Sequence, residues 1–89
     1  MRKESVEIFS DATNAPIMRH PGRRFPGVLI QGDELHAFCQ SLDRALAEMS
    51  NKSEAYYDVN DLRNRLWDLK NHYNSVLTEH GITLPFSKT

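Results

Sequence analysis

Four histidines and one cysteine are the residues of this 89-residue chain with the widest chemical range. His20, His36, His72 and His80 show neither an HExxH pattern nor a close pair. His36 and Cys39 stand three apart and can share a helix face, but zinc takes three or four ligands. No metal and no cofactor is expected. To act as a nucleophile, Cys39 would need a thiol pKa lowered by a helix N-terminus or a cation. It falls near the second turn of an expected helix, on its apolar side, and reads as a packed, inert thiol. No Ser/His/Asp set, carboxylate dyad or cofactor motif emerges, so the chain is not expected to be an enzyme.

Two other groups suit binding better than catalysis. The stretch RHPGRRFPGVLIQGD, from Arg19 to Asp33, holds three arginines, two prolines and three glycines. It lacks the spacing of a phosphate-binding P-loop. Arginine is nevertheless favoured where flat polar partners are gripped, which makes Arg19, Arg23 and Arg24 candidate contact residues. The second group is acidic. Asp58, Asp61, Arg65 and Asp68 follow one another at 3,4,3 spacing and therefore line one face of a helix. Trp67, Tyr56 and Tyr57 are near that ridge. Acids beside aromatics suit a protein-binding face that steers a basic partner by complementary charge.

Composition narrows the class. Apolar content of 39% and charged content of 26% fit one soluble globular domain. A domain of this size buries somewhat more than ~60% of its unfolded surface, enough for one modest core. A net charge of −1 gives no pull toward nucleic acid or membrane. Residues 1–32 carry five basic and three acidic residues, whereas residues 33–89 carry six and nine. A single cysteine allows no internal disulfide and fits a reducing compartment. With no apolar signal segment and no run of roughly 20 apolar residues, the chain is expected to be cytoplasmic.

These groups must be positioned by local structure. Ser5–Phe9 alternates apolar and polar residues, the period of a half-buried strand. A second short strand is expected in IMRH (Ile17–His20). Pro21-Gly22 suits the centre of a type II turn. VLIQ (Val28–Gln31) is the most apolar short run and is expected to be the central strand. Gly32-Asp33 ends it, with Asp33 able to cap a helix. Leu35, Phe38, Leu42, Ala45 and Met49 then recur at 3,4,3,4 spacing, with Cys39 and Leu46 widening the stripe. SNKS (Ser50–Ser53) breaks this first helix. The second is expected from about Glu54 to His80, with Ala55, Val59, Leu62, Leu66, Leu69, Tyr73 and Val76 forming a 4,3,4,3,4,3 seam. Gly81 stops it. The tail ITLPF either returns to the core or adds an edge strand.

The expected architecture is α+β within one domain. A β region (1–32) forms a small, mostly antiparallel sheet of two or three strands. A helical hairpin (33–80) packs on it, and a tail (81–89) follows. Phe38, Leu46 and Trp67 fall off the expected helix seam and are available to cover the sheet.

The stretch Asp11–Leu35 and the ending EHGITLPF resemble a family of small bacterial proteins of unknown function. Its shared segment has the form PGRRFPGVLxQGD, followed by two helices and an HGIPxP-like ending. Thr83 stands where that ending has proline. The resemblance spans nearly the whole chain and brings no activity with it. By analogy with other small stand-alone bacterial proteins, the leading expectation is an immunity-type inhibitor that occludes the active site of a toxin. Its contact candidates are Asp58, Asp61, Asp68, Tyr57 and Trp67, or the Arg19, Arg23 and Arg24 loop. The alternatives are a phosphate- or nucleic-acid-binding module built on that loop, against which the net charge weighs, and a homodimer through the second helix.

Overall fold

A computed structural model describes residues 1–50 and 53–86. Asn51 and Lys52 of the expected helix break, and the last three residues of the tail, lie outside the described residues. The fold is α+β: a three-stranded antiparallel sheet followed by two contacting helices. The chain forms two compact units that divide between Gln31 and Gly32.

The first unit is a meander of β1 (Glu7–Ser10), β2 (Ile17–Arg19) and β3 (Gly27–Val28), in spatial order β1-β2-β3. The central strand is therefore β2, not the VLIQ run. Two hairpins in series must place the middle segment in the centre, whatever its hydropathy. VLIQ contributes only Val28 to a strand, and Leu29 adds one further bond through its N–H to the Pro16 carbonyl at 3.0 Å. Both edge strands are short, which limits the unpaired backbone they present. In β1–β2, Glu7 lies opposite Arg19 and Ile8 opposite Met18, but Ser10 faces Ile17, so Phe9 is an extra, bulged residue. Cross-strand opposition brings Arg19 Nη2 within 2.6 Å and Nε within 2.8 Å of Glu7 Oε1. A surface pair of this kind contributes about 0.2–1 kcal/mol.

The β2–β3 connection contains the expected turn. The Arg23 N–H donates to the His20 carbonyl at 3.0 Å, and Gly22 has φ +81°. These are the marks of a type II turn with Pro21 and Gly22 at its centre. A Cβ at Gly22 would meet no atom within 4 Å, so any penalty there comes from backbone conformation alone. Gly22→Val is expected to lower stability by about 1–2 kcal/mol, read from the urea midpoint at unchanged slope. Wild-type stability in this variant would show that the positive φ is not required.

The second unit is α1 (Gly32–Glu48) and α2 (Glu54–Glu79). The carboxylate of Asp33 accepts the Glu34 N–H at 2.9 Å in the first turn of α1. Ser53 caps α2, its hydroxyl accepting from the Tyr56 N–H at 3.4 Å. At the other end Gly81 takes φ +69°. The Ile82 N–H donates to the Leu77 carbonyl at 2.9 Å, and the Gly81 N–H to that of Thr78 at 3.2 Å. This pair of bonds is a Schellman stop. The chain reverses there, and the described part of the tail, as far as Phe86, returns to the helices without forming a strand. Phe86 stacks on His36 with ring centroids 4.3 Å apart.

Both helices meet along faces displaced from their expected apolar stripes. On α1 the packed positions are Leu35, His36, Cys39, Leu42, Asp43 and Leu46, while Phe38, Ala45 and Met49 are exposed. On α2, Val59, Leu66, Tyr73 and Val76 of the expected seam are partly covered. Ala55, Leu62 and Leu69 are exposed, and Arg63, Trp67 and Lys70 take part in the contact instead. Trp67 and Leu46 are thus partly buried rather than left over from the seam. The cause is polar. Asp43 accepts from Arg63 Nε at 2.8 Å and from Trp67 Nε1 at 3.2 Å, and these charge-assisted bonds fix the rotation of each helix. The long stems of Arg63 and Lys70 supply the apolar contact that leucine was expected to give.

Candidate functional site

Three groups of side chains stand out. The first is the outer face of α2. Asp58, Asp61 and Asp68 are all exposed, and none forms an ion pair among the described residues. They share that side of the helix with Arg65 and with exposed Tyr57, Leu62 and Leu69. Leu62 and Leu69 keep 49% and 58% of their surface, so apolar area lies directly beside the acids. Trp67 is not part of this face: its ring lies under Lys70 Nζ at 4.1 Å, and Arg63 is 5.0 Å from its centroid. Tyr56 and Tyr57 meet edge to face at 5.5 Å.

The second group is the arginine loop. Arg19 is engaged by Glu7, with Phe9 also 5.7 Å from its guanidinium, while Arg24 lies 5.4 Å from the centre of the Phe25 ring. Arg23 borders a cleft of about 300 Å³ lined mainly by apolar groups, among them Val6, Met18, Phe25 and Val28. The three arginines therefore have different surroundings.

The third group was not legible as a site in the sequence. Within the helical unit, His36, Gln40, Asp43, Arg44, Trp67 and Lys70 line an open cleft of about 390 Å³. Lys70 is only 4% exposed. Its ammonium lies 4.1 Å from the Trp67 centroid and 5.1 Å from that of Phe86. Cation–π attraction of this kind contributes about 0.5–2 kcal/mol. Nδ1 of His36 is buried without a hydrogen-bond partner. Burial, with the Lys70 cation nearby, holds the His36 imidazole below its ordinary range, so the ring is neutral near pH 7. Beneath them Cys39 is completely buried. Burial pushes its thiol up; the Lys70 and Arg63 cations act against that shift, and Asp43 adds to it. A thiol in this state is protonated and unreactive at neutral pH.

The remaining histidines do not converge. His20, His72 and His80 are exposed, and no cluster of three or more His, Cys, Asp or Glu among the described residues could hold a metal ion. Among those residues no helix is long and apolar enough to cross a membrane. The model of one family, described as a family of unknown function (DUF6959), matches residues 1–86. No curated protein and no solved structure matches the chain.

Proposed function

Because the chain belongs to this family of unknown function over nearly its whole length, membership supplies no activity, and we propose that it is a non-enzymatic binding protein of the cytoplasm. The carrying observation is the outer face of α2, where three aspartates without an ion pair among the described residues border Tyr57, Leu62 and Leu69. Exposed apolar groups beside uncompensated charge give a face both contact area and a sign. The partner is a protein with a basic surface. An immunity-type role, occluding the basic substrate groove of a toxin such as a nuclease, is the form this reading takes.

Two alternatives fit less well. A self-pairing of α2 through Leu62 and Leu69 would bring Asp58, Asp61 and Asp68 against their own copies, where like charges repel. A phosphate grip by the arginine loop loses one of its three cations to Glu7.

The test is capture from native lysate on the tagged chain, followed by association kinetics on the captured partner. One stoichiometric protein is expected. Asn at positions 58, 61 and 68 together should slow its association by roughly tenfold at low salt and flatten the salt dependence. Nucleic acid eluting with salt in place of a protein, or unchanged kinetics in the triple variant, would overturn the proposal.

A further inference from the structure

The cleft in the helical unit holds an ammonium in an unusual position. Lys70 is almost fully buried, yet among the described residues no carboxylate or hydrogen-bond acceptor meets its Nζ. The acid that lines the same cleft does not serve it. Asp43 is committed to Arg63 and to the Trp67 indole N–H. The Trp67 and Phe86 rings do not take the place of an acceptor at Lys70, because a ring face accepts no conventional hydrogen bond from the three ammonium protons. Arg44 adds a second cation to the lining, its Nη2 donating to the Ser41 hydroxyl at 3.3 Å. His36 adds a buried, unsatisfied ring nitrogen, and Gln40 an amide.

Buried polar groups are normally satisfied, and exceptions in a cleft call for an occupant. With the Asp43 charge balanced by Arg63, two positive charges of the lining, on Lys70 and Arg44, have no ion-pair partner among the described residues. The neutral imidazole of His36 can carry its proton on Nε2 and donate, since Nδ1 is shut off from solvent. We propose that this cleft binds a small organic oxyanion, with phosphate preferred to carboxylate because a dianion matches both cations. Lys70 and Arg44 hold the anionic oxygens, His36 and Gln40 donate to them, and the edge of Trp67 borders the organic body. The volume of about 390 Å³ exceeds what a bare phosphate needs and falls within the range of small-molecule pockets. This site is separate from the acidic face of α2, and either can fail without the other.

The test is a titration of the full chain followed by amide and indole N–H NMR shifts, with inorganic phosphate, acetate and chloride compared at constant ionic strength. Phosphate is expected to give saturable shifts at His36, Lys70 and the Trp67 indole, with a dissociation constant on the order of 1 mM. Acetate should bind several-fold more weakly, and chloride should not saturate. Lys70→Met keeps the buried stem and removes the charge; it should weaken phosphate binding roughly tenfold or more. Should that variant fail to fold, Arg44→Ala decides, since Arg44 is exposed and its removal spares the helix contact. Shifts that do not saturate, equal responses to phosphate and chloride, or undiminished binding in folded Lys70→Met or Arg44→Ala would overturn the proposal.

Discussion

Replacing Gly32 with alanine is expected to destabilise the helical unit by about 3 kcal/mol, the upper end of ordinary overpacking costs. Gly32 opens α1 and is buried. A Cβ built there would lie 2.2 Å from Tyr73 Cζ and 2.3 Å from its hydroxyl oxygen. No rotation of the new methyl relieves that approach, so either the ring or the helix N-terminus must move. Moving the ring also disturbs Phe86, whose centroid is 6.3 Å from that of Tyr73 and which covers His36 and Lys70. Urea unfolding of Gly32→Ala, Tyr73→Leu and the double variant separates the causes. If the clash is responsible, the glycine substitution should cost much less once the ring is gone. An equal cost in both backgrounds would assign the effect to the backbone at the start of α1. Gly22 makes the useful contrast, since its surroundings are open and its φ is positive. One glycine is required for conformation and the other for clearance.

The second large effect is expected at Asp43. Its carboxylate satisfies Arg63 and the Trp67 indole at once, joining α1 to α2. Asp43→Ala leaves both donors with no acceptor in the partly buried contact. The expected cost is about 1–3 kcal/mol, limited because Arg63 and Asp43 retain 34% and 40% of their side-chain surface and water can partly replace the lost bonds. Differential denaturation gives the magnitude, and Trp67 fluorescence reports whether the indole has lost its partner. Asp43→Asn should recover part of the loss, because its amide oxygen can still accept. Stability unchanged in Asp43→Ala would mean that apolar packing alone sets how the helices face each other.

Much of the backbone was legible in the residues. Pro21-Gly22 and Gly81 mark a turn and a stop because only glycine takes their positive φ readily. The meander and the two helices follow from the positions of such breaks and from two periodicities. The rotation of the helices was not legible. Hydropathy assigns Leu62 and Leu69 inward, and Arg63 and Lys70 outward. It does not register that Asp43 lies across from Arg63, or that a lysine stem is as apolar as part of a leucine. The cleft was hidden for the same reason: His36 and Arg44 meet Lys70 only when the helices pair, and Phe86 reaches His36 and Lys70 only after the tail reverses at Gly81. The aspartates of α2 were easier to find. Their spacing alone puts them on one side of a helix, and nothing in the fold draws them away from it.

Phe9 has no opposite number in the ladder between β1 and β2. Removing it would leave Ile8 across from Met18 and Ser10 across from Ile17, as they are now. The strand therefore contains one position at which the chain can shorten by a residue without any cross-strand neighbour changing. A deletion at a paired position would instead shift register and exchange the faces of the residues beyond it. Tolerance of a changed chain length is thus concentrated at a single site in β1, where the loss would keep Glu7 opposite Arg19 and remove only the Phe9 ring that lies 5.7 Å from the Arg19 guanidinium.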